Sequence, residues 1–164
     1  FRGMVLAEMP EADVDEQLGA AGWLPAPREW LAAARLIAGW PALGREIDEK
    51  TLPQEVAFDE LQGVRYDKGC YTGQETVARL HFRGHANRVL RGLLWESGVV
   101  PSGIEILHGE RTVGTIRTIG QLGARVAAAA PIRREVEVGA TVSAGGAAAT
   151  VIELPDWGDT LRAG

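Results

Sequence analysis

From His85 onward the chain is a series of short apolar runs, cut at nearly even intervals by glycine-bearing turns. That texture constrains the fold more than any other feature. Runs over residues 88–95, 104–107, 112–118, 124–130, 141–143 and 148–154 read as strands, the first alternating in polarity. Pro101-Ser102-Gly103, His108-Gly109-Glu110, residues 120–123, Val138-Gly139 and Gly145-Gly146 supply the turns between them. Evenly spaced short strands with such turns make a small antiparallel barrel or a sandwich. A boundary is expected near residues 83–87, dividing the chain into 1–84 and 85–164.

The first part reads differently. Residues 2–7 form a strand candidate. Pro10 suits the first turn of a helix reaching about Ala21, with Val14, Leu18 and Ala21 on one face and Gly22 as its stop. Pro27 opens a second helix through Ala38, whose apolar side is Trp30, Leu31, Ala34 and Ile37; Gly39-Trp40-Pro41 ends it. Residues 42–63 lack a period and read as a long ordered loop with a short strand near Val56-Ala57-Phe58; loops of that length more often serve function than not. A brief strand over 63–66 follows. Two amphipathic helices with so few strands leave too little sheet for the helices to cover, so further strands are expected upstream of Phe1. Trp23, Trp30, Trp40, Trp95 and Trp157 are expected as core and boundary anchors.

With 164 residues, 46% hydrophobic and 24% charged, the composition is that of a soluble globular protein. The longest apolar run, 126–131, is far too short to span a bilayer, and the mixed, strand-like opening is not expected to be a secretory or transit signal. A single cysteine excludes an internal disulfide and suits a reducing, cytoplasmic setting. The net charge of −5 is unevenly spread. Residues 1–63 carry twelve acidic and five basic side chains, whereas residues 64–95 carry two and six. The arginine excess can attract an anion, although such positions are more often simply solvated. An acidic chain with 6% aromatics is not a nucleic-acid module, so no direct nucleic-acid partner and no membrane partner are expected.

The basic stretch contains Asp67-Lys68-Gly69-Cys70-Tyr71-Thr72-Gly73-Gln74-Glu75. Thr72 and Glu75 have capping-box spacing, which predicts a short helix over 73–82, with Val77 and Leu80 on one face and Gly84 as its stop. Cys70 would then lie just before the positive end of a helix dipole, with Lys68 close by, a setting that favours the thiolate. A thiolate binds soft metals and attacks electrophiles. The plainer alternative is a structural cysteine in a tight corner.

The run from Lys68 to Glu75, followed by Ala78-Arg79 and Phe82-Arg83-Gly84, resembles the signature of YgfZ-type proteins, relatives of the glycine-cleavage T-protein (aminomethyltransferase) superfamily. Upstream, Ala34-Arg35, Ala38-Gly39, Gly44, Ile47-Asp48-Glu49, Pro53 and Glu55 are similar to the stretch that precedes that signature. The resemblance covers essentially this whole chain but only the C-terminal half or so of such a protein. It implies an α+β fold: an incomplete ferredoxin-like α/β part followed by a six-stranded antiparallel β-barrel. It also implies help in assembling or repairing iron–sulfur proteins, including radical enzymes that modify tRNA, with tetrahydrofolate in a central cavity. By position, Cys70 would be the functional thiol and Lys68 its cationic neighbour. Tyr71, Gln74 and Glu75 would order the loop and border the cofactor, and Arg35 would belong to the cavity wall. One cysteine cannot hold a cluster that takes four protein ligands. Cys70 would therefore be a labile ligand to a cluster shared with an iron–sulfur assembly or client protein. The alternative within the superfamily is a folate-dependent aminomethyl or one-carbon transferase. True aminomethyltransferases usually lack the cysteine, and their catalytic acidic residue lies upstream of this chain.

Other candidates are weaker. His81 and His85 have a spacing that can bind zinc on a helix, but Gly84 is expected to end the helix between them, leaving both as polar surface or interface groups. His108 reads as a turn residue, and Asp48-Glu49 as a solvated acidic pair.

Overall fold

The computed structural model describes residues 11–24, 27–95, 101–122 and 124–155; the strand expected over 2–7 and the anchor expected at Trp157 lie outside them. Helices α1 (Glu11–Ala20) and α2 (Arg28–Ile37) lead to a 3-10 turn, Pro53–Val56, and to α3 (Gln74–Arg83). Seven strands follow: β1 (Arg88–Trp95), β2 (Glu105–His108), β3 (Arg111–Thr115), β4 (Thr118–Leu122), β5 (Arg125–Arg133), β6 (Thr141–Ala144) and β7 (Ala147–Ile152).

Six of the strands close an antiparallel barrel in the order β1-β7-β6-β2-β3-β5 and back to β1, while β4 lies along β5 beside β3. The fold is thus α+β with the expected barrel. β4 is a correction to the sequence reading, which took residues 120–123 for a turn on the strength of Gly120. That glycine serves packing instead: a Cβ there would lie 3.6 Å from Ala33 Cα of α2. Two expected strands are absent. Around residues 56–58 the chain forms the 3-10 turn and then Ala57 at φ 59°, and residues 63–66 form no ladder.

The alanine run explains how helix and barrel meet. Ala128 and Ala130 point into the barrel with Leu93, Ile106, Ile132 and Val151, while Ala127 and Ala129 face outward under Leu36, Leu90 and Ile152. Successive strand residues alternate faces. Here both faces are covered, so the strand reads as continuously apolar. Small side chains on the outer face let α2 approach closely. The face that α2 buries is centred on Leu36, 2% exposed, rather than on the expected Trp30 and Leu31, which are 64% and 59% exposed. Hydrophobic periodicity selected the bulkiest residues, but a wall of alanine and glycine leaves no hollow for an indole. Trp23 and Trp40 are likewise exposed, and among the described tryptophans Trp95 alone is a core anchor.

Candidate functional site

The cysteine motif leads into α3 by a turn that differs in detail from the expected capping box. The N-cap is Gly73, with φ 85° and no side-chain cap; Gln74 N–H donates to Tyr71 C=O at 3.2 Å. A left-handed φ of this kind suits glycine. It carries the chain past the geometry in which the Thr72 hydroxyl would meet the helix, so Thr72 and Glu75 do not form the reciprocal pair. Gly84 ends the helix as expected, its N–H donating to Leu80 C=O. Cys70 and Lys68 are both exposed. The Lys68 ammonium lies 4.7 Å from the centre of the Tyr71 ring, within cation–π range. Gln74 is half-buried and Glu75 exposed in the first turn of α3.

Beneath this turn lies a polar cluster that sequence reasoning missed. Tyr66 Oη donates to Asp59 Oδ1 at 2.5 Å and accepts from Gln54 Nε2 at 3.1 Å. Gln54 Nε2 also donates to Val77 C=O of α3 at 3.0 Å. The Tyr66 ring stacks on His81, centroids 3.8 Å apart, and His81 Nδ1 is 3.4 Å from Asp59 Oδ2. His81 is therefore an exposed group that also packs in an aromatic pair, in keeping with the polar surface or interface position expected. Burial and donation to Asp59 push the Tyr66 phenol up to about 12, so it stays a donor. Two buried atoms here, Gln54 Oε1 and Tyr71 Oη, have no partner among the described residues. The long loop supplies Gln54 and Asp59; the signal available in sequence was only its lack of period. Tyr66→Phe should cost about 1–3 kcal/mol, because Gln54 Nε2 and Asp59 Oδ1 each lose a hydrogen bond at a half-buried site. Urea denaturation of both proteins checks this, and equal midpoints would contradict it.

Arg35 lies elsewhere, at the junction of α2 and the barrel. Its guanidinium donates to Glu46 Oε2 at 2.9 Å, Trp40 C=O at 2.8 Å and Thr118 Oγ1 of β4 at 3.1 Å. Glu46 also accepts from the Thr118 hydroxyl and, at 3.0 Å, from Ala42 N–H. Among the described residues Arg35 bonds to Trp40, Glu46 and Thr118 and not to the cysteine motif, so the predicted site residues fall into two places, the turn before α3 and this buried ion pair.

No family model matches the chain. Among curated proteins it is 36% identical over 124 residues to "tRNA-modifying protein YgfZ" of Pectobacterium atrosepticum, spanning 73% of this chain and 37% of that protein. The protein of the same description in Cronobacter sakazakii is 33% identical over 145 residues, 84% of this chain and 44% of that one. The chain is a YgfZ homologue. It spans less than half the length of the YgfZ proteins it matches. Among solved structures it resembles the glycine cleavage system aminomethyltransferase T from Bartonella henselae, with TM-score 0.68 and 20% identity over 88% of this chain and 43% of that one. At that identity the likeness shows the fold, which the YgfZ homologue shares with T-proteins. Among the described residues no helix is long and apolar enough to cross a membrane.

Proposed function

We propose that the chain is part of a folate-binding, cytoplasmic accessory factor that assembles or repairs iron–sulfur proteins, tRNA-modifying radical enzymes among them, with Cys70 as its functional thiol. The observation that carries this reading is an exposed cysteine in the Lys68–Glu75 motif, on a chain homologous to proteins described as tRNA-modifying. Lys68, Tyr71, Gln74 and Glu75 shape the turn around that thiol, with Lys68 braced on the Tyr71 ring.

A resident cluster does not fit this chain. Cys70 is its single cysteine, and the described residues hold no group of three or more His, Cys, Asp or Glu side chains arranged for a metal. On this reading a cluster is cargo, shared with an assembly or client protein. For folate, the described residues offer two buried atoms without a hydrogen-bond partner, Tyr71 Oη and Gln54 Oε1, which a ligand would reach only if the turn before α3 opened. Arg35, already held by Glu46, would border the pocket without gripping the cofactor, and the remaining wall belongs to the longer protein.

Two measurements test the reading. Full-length protein titrated with tetrahydrofolate by calorimetry should bind saturably, and no heat of binding would remove the folate part. Full-length Cys70→Ala should fail to restore iron–sulfur enzyme activity to a deletion strain, and full restoration would remove the thiol part. An aminomethyltransferase reading has the shared fold as its support; transfer of an aminomethyl group to tetrahydrofolate by the full-length protein would favour it.

A further inference from the structure

The outer wall of the barrel carries a basic groove that the reading above does not use. Arg88 of β1 and Arg133 of β5 are direct partners in antiparallel register. Their side chains leave the same face, and like charges directly opposite one another destabilise a sheet. Arg88 has no ion-pair partner among the described residues. Arg133 shares Glu135 with Arg111, at 3.7 and 3.3 Å, and Arg117 meets Asp48 only at 3.8 Å. Three guanidiniums thus converge with little to offset them.

They converge on a defined space. Arg88, Arg117 and Arg133, with Thr112, Gly114 and Thr115, line a concavity of about 90 Å³. Gly114 lets β3 lie close on β5 beside it: a Cβ there would stand 2.7 Å from the Pro131 carbonyl oxygen and 3.3 Å from Ile106 Cδ1 of the core. Across Arg88, Arg117 and Pro131 lies a second concavity of about 210 Å³, lined also by Lys50, Thr51 and the carboxylates Glu46, Asp48 and Glu55, which suit a hydroxyl-bearing rather than an anionic occupant. A single water needs about 10–15 Å³ of such space, so the smaller concavity has room for a tetrahedral oxyanion.

We propose that this groove binds a small phosphate monoester, its phosphate among Arg88, Arg117 and Arg133 and its organic part in the larger concavity. A phosphate monoester carries about −1.5 to −2 charge at neutral pH and three acceptor oxygens, enough for two guanidinium forks at once. A carboxylate offers one edge and one charge. Thr115 also lines the smaller space, while the Thr112 hydroxyl is already given to Glu105 at 2.7 Å. Neither folate nor Cys70 enters this assignment.

NMR titration of the full chain with glycerol 3-phosphate, inorganic phosphate and glutarate, at constant ionic strength, tests it. The ester should shift the Gly114, Thr115 and Arg133 amides saturably and bind more tightly than either other probe. Arg88→Ala and Arg133→Ala should each weaken it about tenfold or more, the loss expected for a charge-assisted hydrogen bond. Arg79→Ala, on α3, should bind as the parent does. Arg88→Lys and Arg133→Lys keep the charge without the fork, and they should still weaken binding if an alanine variant does not fold. Unsaturable shifts, glutarate or inorganic phosphate binding as tightly as the ester, or a short RNA moving these amides when the ester does not, would each overturn the proposal.

Discussion

Glu46→Ala is expected to lower the unfolding free energy by about 3–5 kcal/mol, the cost of breaking a buried pair and leaving its partner charged. Glu46 is 3% exposed, and its carboxylate gathers the Arg35 guanidinium, the Thr118 hydroxyl and the Ala42 N–H. Removing it strands an arginine whose side chain is only 18% exposed. It also removes the tie between α2, the following loop and β4. The pH dependence follows from the same contacts. Burial alone pushes the Glu46 carboxyl up, but the donors from Arg35, Thr118 and Ala42 outweigh it and hold it below the ordinary 4.5. A lowered carboxylate stabilises the fold above its unfolded-state value, and the stabilisation is lost as pH falls through the folded-state value. Denaturation curves of the parent and Glu46→Gln should therefore be well separated at neutral pH and converge below pH 4.5. A constant gap down to acid pH would contradict the assignment of that charge.

Trp95→Ala should cost a further about 3–5 kcal/mol, as large-to-small changes of buried aromatics do. Trp95 ends β1 inside the barrel at 1% exposure, packed with Val126, Val136 and Val142 among others. Its indole nitrogen has no hydrogen-bond partner among the described residues, so the side chain contributes volume rather than a polar tie. Trp95→Phe should accordingly lose less than half as much, about 1–2 kcal/mol. If guanidinium unfolding gave the two variants equal losses, the indole N–H would have to be satisfied in the folded protein.

Local signals made the barrel legible. Period and glycine placement mark the strands directly, although only β2–β3, β4–β5 and β6–β7 pair across a sequence-local turn while β1 pairs with β5 and β7. β4 escaped because Gly120 carries two meanings, turn residue and contact point for a helix, and only the position of α2 decides between them. The same distant partner reversed the reading of α2, where Leu36 is buried and Trp30 is not. Of the site, Cys70 and its flanking residues were legible because the motif is contiguous. Glu46 was not: its partners Arg35 and Thr118 stand 11 and 72 positions away. Nor were Gln54, Asp59 and Tyr66, which meet only because the 3-10 turn and α3 fold over one another. Their chemistry resides in an aperiodic loop that composition cannot resolve.

The most direct test of the thiol is the Cys70→Ser variant of the full-length protein, with its unfolding temperature and the level of modified tRNA in a complemented deletion strain measured together. An exposed side chain changed by one atom should leave Tm where it was, while tRNA modification stays at the level of the deletion. Modification restored to the parent level at unchanged Tm would show that the sulfur has no part in the work.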